Sequence, residues 1–275
     1  MAMNAAVRRF GRIARRLLAP IAATVAVAIC APALGAEKIG IVFMHGEAGA
    51  PGRVIVGLTD ALEKAGYLVS RPDMCWSARR SYEASFSDCL STVDDSIIRL
   101  RNLGATAIVV GGLGLGGNAA IAYGARHPGL LGVMAVAPGH DGVKVSARPD
   151  IADSVARARG LVAAGKGDDE GEFADVNIGP SGLFSAEIAT TPAIYLSFFG
   201  PNSEASIGGN VAKVSAPLLW VAASDAAGED GGQDVFAGAP ANPLNRFVTV
   251  AGGRLGAPQA AKADVLAWLK DLGAK

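Results

Sequence analysis

Val109-Val110-Gly111-Gly112-Leu113-Gly114-Leu115-Gly116-Gly117-Asn118-Ala119-Ala120 reads as a strand, a glycine turn and the start of a helix. The glycines at 112, 114 and 116 have the spacing of a G-x-S-x-G elbow, a strained strand-to-helix turn that exposes a serine hydroxyl. Here Gly114 stands in the serine's place. The turn is kept and the nucleophile is missing.

Working outward from the turn, strand patterns and helix patterns alternate. Lys38 to Phe43 is a short apolar run ending at Met44-His45-Gly46, and a helical pattern opened by Pro51 runs through Val54, Leu58 and Leu62 to stop at Gly66. Tyr67 to Ser70 reads as a strand, Ser85 to Leu103 as a helix, Thr106 to Val110 as a strand, Asn118 to Arg126 as a helix and Leu130 to Val136 as a strand. From Arg148 to about Ala216 the rhythm changes to a helical stretch (Ile151 to Ala164), a Gly/Asp/Glu-rich loop (Gly165 to Gly182) and an apolar segment (Thr191 to Phe199), as expected of a cap insertion at about 148–216. Strands at Pro217 to Ala222 and Phe247 to Ala251 and a closing helix from Pro258 to Leu272 complete the chain. Strands separated by helices predict a mostly parallel sheet covered on both faces, an α/β architecture.

Residues 1–36 read as an export leader: five arginines from Arg8 to Arg16, an apolar run from Leu17 to Ala31, and small residues ending at Ala36. The run is shorter than the roughly 20 residues a spanning helix needs, so no membrane attachment is expected after cleavage. The remaining 37–275 suits one domain. Removing the leader changes a balance of 25 bases and 25 acids to 20 against 25, which argues against a nucleic-acid partner. The expected location is the periplasm or the exterior. Cys75 and Cys89 are then a candidate disulfide, since exported chains meet an oxidising compartment; two buried thiols are the other reading. With two cysteines left, no structural zinc site is expected.

In open parallel sheets ligands bind beyond the carboxyl ends of the strands, so the loops beginning at His45, Asp73, Gly112, His140, Ser224 and Gly252 should converge. The Met44-His45-Gly46 turn, the Gly112–Gly116 elbow, the two late strands and the final helix together resemble the α/β-hydrolase superfamily over residues 37–275. That resemblance implies an oxyanion loop at His45-Gly46, a nucleophile at the elbow, an acid after the penultimate strand and a histidine after the last. Asp225 is a possible acid position, with Glu229 and Asp230 competing. Arg254 stands where the histidine is implied, and the chain has no histidine after His140. Glycine carries no nucleophile, and a guanidinium is no base near neutral pH.

The function expected is a degenerate hydrolase that keeps a crevice for a small-molecule ligand or an envelope protein. Its ligand-binding candidates are His45, Gly46, Leu115 and Trp76. The alternative is an active hydrolase of ester or related acyl bonds working through His45 and His140, with His140 as the base. These two histidines, with Asp73, Asp141 or Glu47, could also hold a metal or form an acid-base pair; the simpler reading has His45 ordering its loop and His140 capping a turn. Tyr82, Tyr195, Phe198 and Phe199 read as core or pocket lining, and Ser181 and Ser197 as cap hydroxyls without a base partner. Gly112-x-Gly114-x-x-Gly117 also matches a dinucleotide fingerprint, but Val136-Ala137-Pro138 stands where that fingerprint needs an acid. No cofactor and no metal are therefore expected.

Overall fold

A computed structural model describes residues 38–179, 182–224 and 232–273. The leader read in residues 1–36 lies outside the described residues. Six strands form one sheet in the order β2-β1-β3-β4-β7-β8: β1 (Ile39–Met44), β2 (Leu68–Ser70), β3 (Ala107–Leu113), β4 (Gly132–Val136), β7 (Leu218–Ala223) and β8 (Arg246–Val250). Every pairing among them is parallel. The two-residue period of a strand divides each between two apolar layers. In β1, Ile41 and Phe43 join the layer made by α1 (Val56–Lys64), α10 (Gly253–Ala260) and α11 (Lys262–Gly273), while Val42 and Met44 face α3 (Ser91–Asn102) and α4 (Leu115–Arg126).

Several boundaries differ from the sequence expectation for local reasons. The strand expected to end at Val110 continues through Gly111 and Gly112 to Leu113, so Gly114 alone separates β3 from α4. The single helix expected over Ser85–Leu103 is broken at Leu90 into α2 (Phe86–Cys89) and α3. The closing helix starts earlier, at Gly253, and breaks at Ala261.

Segment 148–216 packs on the α3/α4 side. It contains α6 (Pro149–Ala163), α7 (Pro192–Phe199), α8 (Ile207–Val211) and an antiparallel hairpin of β5 (Gly171–Gly179) and β6 (Gly182–Thr190). The hairpin corrects the expected loop at Gly165–Gly182. Phe173 and Asp175 alternate inward along β5 with half-buried Ala174 and Val176, a strand period obscured in the sequence by the acid at an inward position. Phe173, Ile188, Tyr195, Phe198 and Phe199 belong to the same apolar layer as Val42, Met44 and Val110, so this segment is part of the core as well as a cover.

Cys75 and Cys89 are disulfide-bonded, with Cα atoms 5.7 Å apart. The bridge closes the loop that carries Tyr82, whose N–H donates to the Cys75 carbonyl at 2.8 Å. Cross-linking a loop of about 15 residues restricts the unfolded chain and contributes about 3 kcal/mol. A Cys75→Ser/Cys89→Ser double variant should lose about that much in urea unfolding, with the same loss when wild type is reduced.

The elbow supplies a second stability test. A side chain at Gly116 would start 2.6 Å from the His45 carbonyl oxygen, whereas one at Gly114 would meet nothing nearer than 3.7 Å. Gly116→Ala should therefore cost several times the ~1–3 kcal/mol of backbone strain expected for Gly114→Ala, read by the same unfolding experiment.

Candidate functional site

Gly114 caps α4 at φ 56°, ψ −119°, a conformation open to glycine and costly for other residues. Its N–H donates to the Val136 carbonyl at 3.0 Å, and its own carbonyl accepts from Asn118 and Gly139. The turn is therefore tied on one side to α4 and on the other to the loop after β4. The N–H groups of Leu115, Gly116 and Gly117 open the helix, where intrahelical acceptors run out.

The loop after β1 lies alongside. His45 is buried and its ring is used up locally: Nδ1 lies 2.8 Å from the Gly46 carbonyl, and Nε2 accepts the Met74 N–H at 3.1 Å. That pattern defines a neutral imidazole, hydrogen on Nδ1. Burial holds its pKa below the ordinary value against the opposing pull of Asp73, whose Oδ1 is 3.7 Å from Nε2. Trp76, fully buried, donates its indole N–H to the His45 carbonyl at 3.1 Å. Both residues brace the loop, and neither lines the cavity over the elbow.

That cavity holds about 50 Å³ and is lined by Gly46, Glu47, Leu113, Gly114, Leu115, His140, Arg254 and Leu255. Of the ligand candidates from the sequence, Gly46 and Leu115 face it. Arg254, at the start of α10, crosses the elbow. Its Cδ lies 3.7 Å from where a side chain at Gly114 would begin, and its guanidinium lies 2.7–2.8 Å from the corresponding point at Gly139. A side chain at 139 would displace the guanidinium from this position.

His140 closes the far wall and is held by Glu47. Its Nδ1 is 2.9 Å from Glu47 Oε1, and its Nε2 is 3.3 Å from the Phe198 carbonyl. Two oxygen partners make it a doubly donating imidazolium. Burial alone would lower its pKa; the charge and hydrogen bond of Glu47 outweigh burial and raise it. Glu47 moves the other way: burial would raise its pKa, and His140 brings it below the ordinary value. The Tyr82 hydroxyl donates to the same Glu47 oxygen, and burial followed by the Glu47 charge raises the Tyr82 pKa well above normal. Phe199 and Phe198 stack edge-on against the His140 ring at 4.5 and 6.4 Å.

A second buried carboxylate, Asp175 of β5, completes this group. One donor atom each from Glu47, His140 and Asp175 all lie within 4.8 Å of one another. Asp175 follows a Gly- and acid-rich stretch whose composition predicts a loop, so no sequence pattern marks it as buried. Glu47 was legible as a partner for His140, but Tyr82 was legible only as an aromatic. Backbone strain marks the same place. The described non-glycine residues with positive φ are Ala48, Ser81, Tyr82, Ala137 and His140, and they lie in the loops that bring Glu47, Tyr82 and His140 together.

The remaining candidates take structural positions or cannot be placed. Asp141 caps α5 (Gly142–Val145) and accepts the Ile207 N–H at 3.0 Å. Asp73 pairs with Arg79. The Ser197 hydroxyl donates to the Ile194 carbonyl at 2.6 Å and accepts the Phe86 N–H. Asp225, Glu229, Asp230 and Ser181 lie outside the described residues.

No protein-family model matches the sequence, and no curated protein matches it. Solved structures do. A metagenome-derived lipolytic enzyme superposes with a TM-score of 0.61 at 15% identity, covering 86% of this chain and 95% of that one. Est1E from Butyrivibrio proteoclasticus, solved with ferulic acid bound, gives 0.56 at 17% identity over 87% and 93%. The esterase domain of a Rhodothermus marinus protein gives 0.54 at 16% identity over 86% and 89%. These similarities agree with the parallel sheet and with the elbow at the carboxyl end of β3: the chain has the α/β-hydrolase fold.

Proposed function

We propose that this protein is a hydrolase-fold protein without serine catalysis, which binds a small carboxylate or similar anion over the elbow. The observation that carries the reading is the conformation of Gly114: an elbow backbone with space for a side chain, no nucleophile on it, and Arg254 laid across it. A cavity of about 50 Å³ holds a few water molecules or one carboxylate head. Arg254 supplies positive charge, and the start of α4 supplies N–H donors, which favour an anion. The two histidines support the same reading, since each uses both ring nitrogens within the protein and neither offers a free lone pair to a substrate. Export is part of the proposal and rests on the leader composition together with the Cys75–Cys89 bridge.

Titration with acetate and butyrate, followed by NMR shifts of Leu115 and Gly116 amides, should show saturable binding that weakens about tenfold or more in Arg254→Gln, the loss of one charge-assisted contact. No saturation by wild type, or binding unchanged in Arg254→Gln, overturns the anion reading. Wild type should take no fluorophosphonate label at a serine and should not turn over short acyl esters. Turnover that falls about tenfold in His140→Ala would instead establish the active hydrolase. Gly114→Ser/Arg254→His should gain at most slow ester hydrolysis.

The Glu47–His140 pair gives a pH signature. His140, raised in the folded state, stabilises fully below its unfolded pKa near 6.5, and that contribution fades as pH rises through the folded value. Glu47, lowered, stabilises above its unfolded pKa near 4.5 and fades as pH falls through its folded value. Tm in chelator-containing buffer should therefore peak between about 4.5 and 6.5 and decline on the alkaline side, a decline that His140→Gln should flatten.

A further inference from the structure

Two carboxylates and one imidazole meet in the protein interior, with Asp175 and His140 buried and Glu47 nearly so. Burying like charges together is costly unless something neutralises them. One imidazole nitrogen and two carboxylate oxygens converging in the interior are a donor set that a divalent cation can bind. We propose that Glu47, His140 and Asp175 form a binding site for a divalent first-row transition metal such as Zn²⁺.

The geometry fits with small adjustment. Ligand atoms around a tetrahedral metal with bonds of about 2.0–2.1 Å lie about 3.4 Å apart. Glu47 Oε1 and His140 Nδ1 are 2.9 Å apart, and no pair in the group exceeds 4.8 Å. Metal replaces the proton on Nδ1, and carboxylate rotation closes the longer gap. One nitrogen and two oxygens suit Zn²⁺ or Mn²⁺ better than a thiolate-seeking ion. The other partners are those that orient metal ligands. Tyr82 donates to Glu47, the Phe198 carbonyl faces His140 Nε2 and so selects Nδ1 as the ligating nitrogen, and Asn118 holds the His140 carbonyl at 2.7 Å. Glu47 and His140 also line the elbow cavity, so the site borders it.

The site is independent of the anion reading, because metal binding is measured without any anion ligand. Chelator-stripped protein dialysed against Zn²⁺, and separately against Mn²⁺, is analysed for metal per chain by mass spectrometry. Wild type should retain one Zn²⁺ per chain. Asp175→Asn, which keeps side-chain volume, and Glu47→Gln should each weaken binding at least about tenfold, while His127→Gln, beside Tyr123 on the far end of α4, should leave it unchanged. Zinc-edge X-ray absorption on the loaded wild type, which needs no variant to fold, should show nitrogen and oxygen neighbours near 2.0–2.1 Å and no sulfur. Failure to retain either metal, retention unaffected by Asp175→Asn, or a sulfur-containing shell overturns the proposal.

Discussion

Three stretches of backbone touch at the centre of this molecule, and the contact is possible only because two residues have no side chain. A Cβ on Gly112 would sit 2.5 Å from the Gly116 carbonyl, and one on Gly116 would sit 2.6 and 2.7 Å from the carbonyl oxygens of His45 and Met44. The ends of β1 and β3 and the first turn of α4 are therefore pressed together at backbone distance, closer than any real Cβ allows. Everything at the carboxyl edge inherits its position from this contact. It sets Gly46 and Glu47 beside Gly114, and Gly114 in turn fixes the β4 loop through its bond to the Gly139 N–H.

From that junction the polar group is assembled by elements remote in sequence. Glu47 arrives on the loop after β1, Tyr82 on the loop closed by the disulfide, His140 on the loop after β4 and Asp175 on the cap hairpin. Only one of these carriers is regular secondary structure. The loops hold because they bond to one another: Ala48 N–H to the Trp76 carbonyl, Trp76 indole to the His45 carbonyl, Thr190 hydroxyl to the Tyr82 carbonyl. Removing one partner of the Glu47–His140 ion pair would expose the other's desolvation cost, about 3–5 kcal/mol, so the group also acts as a clamp between the sheet and the cap.

The strand and helix order, the parallel sheet and the elbow were legible in the sequence because each is written locally. Period-two and period-3.6 patterns need only a few neighbours, and Gly112, Gly114 and Gly116 announce a turn by composition alone. The absence of any histidine after His140 was equally plain. The ionic group was not, because nothing in the spacing of Glu47, His140 and Asp175 links residues brought together from three separate loops and strands. Asp175 was concealed twice over, by the Gly- and acid-rich residues that precede β5 and by its own polarity at an inward position. Arg254 was placed by its order after the last strand, but its course over Gly139 depends on three-dimensional packing.

Backbone strain at this edge of the sheet is unevenly placed. A serine in an elbow occupies a backbone conformation costing of order 1–3 kcal/mol, and glycine at 114 removes that cost. Ala48, Tyr82, Ala137 and His140, by contrast, hold positive φ with full side chains, in the loops that carry Glu47, Tyr82 and His140. The residues that still hold unfavourable backbone are those that bring the imidazole, the phenol and the carboxylate together. The strain on this edge is therefore carried by the loops that assemble the ionic group, and Gly114 is joined to one of them through its bonds to Val136 and Gly139.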